Sequence, residues 1–265
     1  MNYRHSYHAG NFADVFKHIV LTALLQAFLR KDSAFCFFDT HAGIARYDLA
    51  SLKNAEYTSG ITKILAAKNP PLLVQNFLKY LPGPMIYPGS PLIARQMLRP
   101  HDRLILSELH PEDYGLLKKF FARDKQVSTH HRDGFESLNA LLPPKEKRAL
   151  ILIDPPYERI DDYDRALLAI TRALRHFAQG VFALWYPIKD KRSHDLFLQK
   201  LKSQIQQPLL IIELSIFPID VNMQLNGSGM AIINPPWQLE SQLQEVVPWL
   251  WDTLKVHPAS KWCIM

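Results

Sequence analysis

Cysteine is scarce in this sequence, and long apolar runs are absent from it. The two cysteines, Cys36 and Cys263, lie far apart, and the apolar residues around Cys36 are typical of a buried free thiol. No stretch of about 18 or more apolar residues occurs, so we expect no transmembrane helix. The first eight residues are polar and aromatic and lack the apolar stretch of a secretory signal. These absences predict a soluble, cytoplasmic protein.

The composition predicts a folded chain with a basic surface. Hydrophobic residues make up 48% of the 265 residues, enough for a sizeable core, and the length suits a single domain over 1–265. Lysine and arginine outnumber the acids by 31 to 25, which gives a net charge of +6. A basic surface fits a polyanionic partner such as a nucleic acid.

Short apolar segments alternate with segments of helical periodicity along most of the chain. Seven segments have the length and composition of buried strands: 34–39, 103–107, 126–130, 149–154, 181–186, 209–217 and 230–234. Six helices are predicted around them: 14–30, 112–122, 134–142, 163–177, 193–203 and 239–254. This alternation indicates a mostly parallel sheet covered by helices on both faces.

The interval 47–100 interrupts the alternation. It contains three helix-like stretches and no convincing strand, and proline and glycine punctuate it. We predict a small helical insertion subdomain over 47–90, which ends in a tight loop before a helix with Pro91 at its first position.

The connection between the last two predicted strands is too short for a parallel crossover. About a dozen residues without a helical pattern join them, so one of the two should run antiparallel. A mostly parallel seven-stranded sheet with a terminal antiparallel strand is the Rossmann-like α/β architecture of class I S-adenosylmethionine-dependent methyltransferases.

Polar residues follow the first four predicted strands, where ligands bind in open α/β sheets. Gly43 offers a turn after the first strand, and Glu108 after the second could bind ribose hydroxyls. Asp133, after the third strand, could accept a hydrogen bond from an adenine amino group, and Asp154 follows the fourth strand. Each alone is compatible with an ordinary turn. On successive strands they outline a site for an adenosine-containing cofactor.

The glycine pattern narrows the class of cofactor. A dinucleotide fingerprint, Gly-x-Gly-x-x-Gly, is missing after the first strand, where only Gly43 is present. That argues against a pyrophosphate-bearing cofactor such as NAD. It is compatible with S-adenosyl-L-methionine, which has no phosphate.

The segment Asp154-Pro155-Pro156-Tyr157 suggests the reaction. A carboxylate and a backbone carbonyl that each accept an N–H would make an exocyclic amino nitrogen more nucleophilic, which is electrostatic preorganisation. The two prolines would fix the turn. Tyr157 would offer a face on which a flipped base stacks. Asp154 could act as a general base or as a hydrogen-bond acceptor only.

A second segment, Asn234-Pro235-Pro236-Trp237, matches the same pattern. It follows the last predicted strand, and if that strand is antiparallel its carboxyl end lies at the opposite edge of the sheet. We therefore interpret Asn234 as part of a structural turn.

The first twelve residues, 1–12, form a candidate substrate-contacting motif. Tyr3 and Tyr7, with Arg4, His5 and His8, suit base stacking and phosphate contact, and no acid occurs among the first ten residues. A metal site on His5 and His8 is disfavoured because no further ligand follows at zinc-site spacing.

Several blocks together resemble the RlmJ (YhiR) family of 23S rRNA (adenine-N6)-methyltransferases. They run from the first residues to about Trp249: 3–11, 14–18, 39–43, 87–96, the Asp154 segment, 183–187 and 229–237. The N-terminal block and 87–96 are the most specific, because methyltransferases in general lack them.

The resemblance implies a class I fold with a helical insertion, S-adenosyl-L-methionine as methyl donor, and an adenine of 23S rRNA as acceptor. It implies a cofactor site formed by His18, His41, Ser90, Glu108, Asp133, Gly134 and Asp154. Asp154 would also be the catalytic residue. The RNA substrate would meet Tyr3, His5 and Lys17, besides the residues at positions 155–157. We expect a monomer that needs neither a metal nor a membrane.

Two alternatives stay open at this point. The same chemistry could act on a DNA adenine or a protein glutamine, although no DNA-reading module such as a basic helix-turn-helix is evident. A non-catalytic RNA-binding protein could also use this fold. The presence of Asp154 and of the cofactor-side residues disfavours that reading.

Overall fold

The computed structural model describes residues 8–52, 54–220 and 225–265. An eight-stranded sheet lies at its centre. Its strands are β1 (Cys36–Asp39), β4 (Arg103–Glu108), β5 (Val127–His131), β6 (Ala149–Ile153), β7 (Val181–Ile188), β8 (Leu209–Ser215), β9 (Gly227–Ile233) and β10 (Trp262–Ile264). They lie side by side in the order β5-β4-β1-β6-β7-β9-β8-β10. The two remaining strands, β2 (Arg46–Asp48) and β3 (Ile86–Pro88), form a separate hairpin.

The directions of the strands confirm the class I methyltransferase fold. Strands β5, β4, β1, β6 and β7 run parallel to one another, and β9 is antiparallel to both β7 and β8. The predicted count of seven strands was wrong by one, because β10 adds to the edge strand β8. Three residues are too few to give β10 a recognisable apolar pattern, and its position depends on pairing with β8.

Helices cover both faces of the sheet, as the alternation predicts. They are α1 (Phe12–Leu29), α2 (Ile61–Ala66), α3 (Leu72–Leu78), α4 (Ser90–Met97), α5 (Pro111–Phe120), α6 (Gly134–Leu141), α7 (Asp162–His176), α8 (Lys191–Gln204) and α9 (Leu239–Leu254). Two apolar clusters form the core, one on each face. One surrounds α1 and α9, and the other lies under α6, α7 and α8.

Helix α1 is the central element of one face. Asn11 caps its first turn, because its side-chain oxygen accepts a hydrogen bond of 3.0 Å from the Asp14 amide. Within the described residues it is the one helix long and apolar enough to cross a membrane. The fold buries 83% of it, as expected for the core helix of a globular protein.

The insertion contains more β-structure than the sequence indicates. Strands β2 and β3 pair antiparallel with Tyr47 opposite Tyr87, so the expectation of no strand there was wrong. Three-residue strands carry too few alternating positions to be recognised. Between them lie 3₁₀ turns at Leu49–Ser51 and Glu56–Ser59, followed by α2 and α3. Pro91 is the second residue of α4 rather than the first.

Candidate active site

A cavity of about 320 Å³ opens at the carboxyl ends of the parallel strands. The parallel register brings the ends of β1, β4 and β6 to one level, with Asp39 opposite both Leu106 and Leu152. The seven residues predicted to hold the cofactor all line this cavity: His18, His41, Ser90, Glu108, Asp133, Gly134 and Asp154. The structure therefore brings together side chains that are up to 136 positions apart in the sequence.

Glu108 is fixed at the end of β4 by the backbone of two loops. Its carboxylate accepts hydrogen bonds from the Gly43 amide at 2.8 Å and from the His110 amide at 2.7 Å. Burial raises the pKa of Glu108, and these two backbone hydrogen bonds oppose the rise. A carboxylate held in this way can still accept further hydrogen bonds from a diol such as that of a ribose.

Asp133 combines a structural role with a place in the cavity. It caps α6 by accepting hydrogen bonds from the amides of Phe135 at 2.8 Å and Glu136 at 3.1 Å. The guanidinium of Arg165 bonds to the other carboxylate oxygen at 3.2 Å and lies 4.9 Å from the centre of the Phe135 ring. Arg165 thus connects α7 to this corner of the cavity, a role that sequence reasoning missed.

The imidazole of His41 is uncharged and forms part of the wall of the cavity. Burial lowers the pKa of its imidazole to about 4, against the opposing effect of Asp154 and Asp133. The ring meets Phe135 edge-on, and its Nδ1 lies 2.8 Å from the Thr40 hydroxyl. A neutral ring of this kind contributes contact surface and no charge.

Gly134 is required at its position by close packing. A Cβ built on it would lie 2.3 Å from the Thr40 carbonyl oxygen and 2.6 Å from the His41 ring. The start of α6 therefore touches the loop after β1 directly.

Ser90 lines the cavity and is bonded from behind by Asp39, the last residue of β1. Its hydroxyl donates a hydrogen bond of 2.6 Å to Asp39, which is completely buried. Burial raises the pKa of Asp39 to about 7, and the Ser90 hydrogen bond opposes that rise. The apolar strand around Asp39 was the signal for this burial.

Asp154 follows the last residue of β6 and is held by a buried cation. The Lys17 ammonium lies 2.8 Å from Asp14 and also pairs with Asp154. Burial alone would lower the pKa of Lys17, but the two carboxylates outweigh it and raise that pKa. Lys17 is 3% exposed, and its ammonium is held between Asp14 and Asp154 at the wall of the cavity. Its contact with the RNA substrate stays a prediction.

A second cavity of about 150 Å³ adjoins the first at Asp154. Lys17, Asp154 and Pro156 line both cavities. The indole of Trp185 forms part of the wall of the smaller one, and its Nε1 donates a hydrogen bond of 2.7 Å to the Ser228 hydroxyl. Trp185 belongs to a block that carried the resemblance, and it was not assigned a role there.

The aromatic residue of the Asp154 segment does not face this cavity. Tyr157 is 7% exposed, and its hydroxyl donates a hydrogen bond of 2.7 Å to the Trp185 carbonyl. The expectation of a stacking surface on Tyr157 is therefore not met in this conformation. Of the two prolines, Pro155 is buried and Pro156 reaches the surface of the cavity.

The segment at Asn234 is a structural turn at the opposite edge of the sheet, as expected. Its side-chain amide donates hydrogen bonds of 2.8 Å to the carbonyls of Ala178 and Gly180, which precede β7. Tyr3 and His5 lie outside the described residues.

Acidic groups outnumber basic ones around the larger cavity. Its lining includes Glu108, Asp113, Asp133, Asp154, Glu158 and Asp162, against Lys17, Arg159 and Arg165. Such a lining suits a ligand with a positive centre and disfavours one that carries phosphates. In the described part of the chain, no three His, Cys, Asp or Glu side chains are grouped as for a metal ion.

Known proteins with similar sequences are ribosomal RNA methyltransferases. A family described as "Ribosomal RNA large subunit methyltransferase D, RlmJ" matches residues 32–264. Two relatives are each named "Ribosomal RNA large subunit methyltransferase J". The Haemophilus influenzae protein is 40% identical over 100% of this chain and 98% of its own length. The Escherichia coli protein is 41% identical over 96% of this chain and 94% of its own length.

The fold is also shared with a solved structure. A crystal structure of a protein from Legionella pneumophila superposes with a TM-score of 0.90 at 39% identity, over 97% of this chain and 98% of that one. By sequence and by fold, this chain belongs to the RlmJ family of ribosomal RNA large subunit methyltransferases.

Proposed function

We propose that this protein transfers a methyl group from S-adenosylmethionine to the N6 amino group of an adenine in 23S rRNA. The observation that carries the proposal is the position of Asp154 at the junction of the two cavities. A cofactor in the larger cavity and a base in the smaller one would meet at its carboxylate. We further propose that the protein acts in the cytoplasm as a monomer and without a metal.

The larger cavity fits the cofactor in size and in charge. Its volume falls in the range of about 300–1,000 Å³ typical of small-molecule sites. Glu108 would accept hydrogen bonds from the ribose hydroxyls of the cofactor, and Asp133 would accept one from its adenine amino group. When bound, S-adenosylmethionine supplies an electrophilic methyl group on a positively charged sulfur and leaves as the neutral thioether. The carboxylates around the cavity favour binding of that charge.

The chain's own contribution to the reaction lies in Asp154 and Lys17. An adenine amino nitrogen is a weak nucleophile because its lone pair is delocalised into the ring. Asp154 would accept one N–H, which localises the lone pair on nitrogen and stabilises the positive charge that develops as the N–C bond forms. Lys17 holds the carboxylate in place through their ion pair. The methylated nitrogen then loses one proton, either to Asp154 or to water.

The smaller cavity would take the flipped base. Pro156 and Trp185 give it a mostly apolar wall next to Asp154, as a flat aromatic ring requires. Tyr157 supports this wall from behind through its hydrogen bond to Trp185. A base in this cavity presents its edge to Asp154.

Transfer of tritium from labelled S-adenosylmethionine to 23S rRNA without the modification tests the proposal. We expect transfer by the native protein, and a loss of at least about 100-fold in kcat for Asp154→Asn and Asp154→Ala. Calorimetry should show that Asp154→Asn still binds the cofactor, because the other residues of the cavity remain. Mass mapping of the labelled RNA identifies the adenine.

Three results would contradict the proposal. A folded protein that transfers no label to any such RNA excludes rRNA methylation. Duplex DNA or a protein glutamine that is methylated faster than RNA in direct competition changes the acceptor. A native protein that binds no S-adenosylmethionine in calorimetry supports an RNA-binding role without catalysis.

A further inference from the structure

The insertion holds the chain segment that precedes α1. The carboxylate of Glu56, in the 3₁₀ turn between β2 and α2, lies 2.9 Å from Nδ1 of His8. The same carboxylate oxygen accepts a hydrogen bond of 3.1 Å from the side-chain amide of Asn11. One carboxylate therefore joins two residues of the N-terminal segment that are 45 or more positions away in the sequence.

The backbone of the same segment is fixed by the residues after Glu56. The Ile61 amide donates a hydrogen bond of 2.9 Å to the carbonyl of Gly10. A Cβ on Gly60 would lie 2.3 Å from that carbonyl oxygen and from the carbonyl carbon of Asn11, so only glycine allows this approach. Gly10 itself has a φ of +76°, which gives the segment a sharp turn.

The segment held in this way forms part of the smaller cavity. His8 and Asn11 both line it, together with Asp154 and Trp185. Asn11 also caps α1, the helix that carries Lys17 to Asp154. A short path of direct contacts thus runs from Glu56 to the wall of the cavity that we assign to the base.

The charge state of Glu56 suits this contact. The hydrogen bond with His8 lowers the pKa of Glu56, and partial burial opposes that effect. An ionised carboxylate is a stronger acceptor than a neutral one for the His8 ring and the Asn11 amide.

We propose that Glu56 is a positioning residue for the RNA substrate, and that the insertion serves to hold residues 8–11 against the base cavity. This inference rests on the proposed function, since it assigns RNA to that cavity. Glu56 acts through His8 and Asn11, and it lines neither cavity itself.

The substitution Glu56→Gln keeps the shape of the side chain and removes its charge. We expect the KM for 23S rRNA to rise by about fivefold, with kcat and the affinity for S-adenosylmethionine changed by less than about twofold. Glu245→Gln removes the same charge from an exposed position on α9 and should leave all three values unchanged. The melting temperature of each variant tests whether a loss of folding causes the rise in KM for RNA.

A double-mutant cycle separates positioning from a general structural effect. If Glu56 acts through His8, the KM for RNA of the double variant should exceed the native value by less than the product of the fold-increases caused by Glu56→Gln and by His8→Ala alone. Hydrogen exchange without RNA provides a measurement that needs no catalysis. Peptides covering residues 8–15 should exchange faster in Glu56→Gln than in the native protein or in Glu245→Gln.

These measurements distinguish the two proposals. A native protein that methylates no RNA contradicts the proposed function, whereas the exchange data still report on the contact of Glu56 with residues 8–11. Unchanged exchange, or an unchanged KM for RNA in a folded and active Glu56→Gln, overturns the positioning role. Fully multiplicative effects of Glu56→Gln and His8→Ala on KM also overturn it.

Discussion

At the scale of single residues, two kinds of carboxylate lie at or next to the site. Asp154 and Asp14 share the one ammonium of Lys17. Asp39 has hydrogen bonds from Ser90 and from the His41 amide, but burial dominates and raises its pKa to about 7. Desolvation therefore disfavours the charged form of Asp39.

Asp39 should make the stability of the protein depend on pH in a recognisable way. Its ordinary pKa is 3.8 and its folded value is about 7, so between these values the folded state binds more protons than the unfolded state. Stability contributed by this group is thus full below pH 3.8 and is lost as the pH rises through 7. Between about pH 5.5 and about pH 8 the loss should be about 2 kcal/mol.

Urea unfolding of the native protein and of Asp39→Asn at several pH values measures this contribution. The difference in free energy of unfolding between the two should shift in favour of Asp39→Asn as the pH rises. A difference that stays constant over this range would show that Asp39 ionises as freely in the folded protein as in the unfolded chain.

At the scale of elements, the site depends on where helices and strands begin and end. The parallel register of β1, β4 and β6 sets Glu108, Asp154 and the loop after β1 around one opening. The start of α6 closes one side of it through contact of Gly134 with Thr40 and His41. A shift of one element by a fraction of an ångström would change the shape of the cofactor cavity.

Two glycines in helices provide a matched test of this packing. Gly134→Ala should weaken the binding of S-adenosylmethionine by about tenfold or more, because the new methyl group would push α6 away from His41. Gly115→Ala, in α5, places its methyl group in open space. It should raise the free energy of unfolding by about 0.5–1 kcal/mol and leave cofactor binding unchanged.

Calorimetry with the cofactor and thermal unfolding of both variants check this prediction. Equal cofactor affinity in Gly134→Ala and the native protein would show that α6 can move without cost to the cavity.

Sequence patterns predicted the elements that are long and regular, and missed those that depend on distant pairing. Apolar periodicity located α1, α7, α9 and the parallel strands to within a few residues. It could not locate β2, β3 and β10, because three-residue strands are defined by their partners. The same limit applies to side chains. The order of the strand ends predicted that Glu108 and Asp154 lie at the cofactor site. The burial of Tyr157, in contrast, follows from its packing against Trp185 and Tyr163, which are distant or later in the sequence.

At the scale of the whole molecule, charge is distributed unevenly between site and surface. The chain carries a net charge of +6, yet acids predominate around the cofactor cavity. The positive sulfur centre of the cofactor is attracted by the acidic lining, whereas a polyanionic RNA is attracted by the positive net charge of the chain. The two ligands should consequently respond differently to salt.

We expect the KM for 23S rRNA to rise by about tenfold or more between about 50 and 200 mM salt, as for a protein that contacts two or more phosphates. The affinity for S-adenosylmethionine, a small ligand in a partly enclosed cavity, should change by less than about twofold. Steady-state kinetics with RNA and calorimetry with the cofactor, over one salt series, measure both. A KM for RNA that is insensitive to salt would show that phosphate contacts contribute little to binding.

The burial of α1 has a consequence for the synthesis of the protein. This helix is made before α3, α4, β9 and α9, and it packs against all four of them. The part of its apolar surface that β9 and α9 cover therefore stays open until those elements have been made, and in that time it can bind chaperones or other nascent chains.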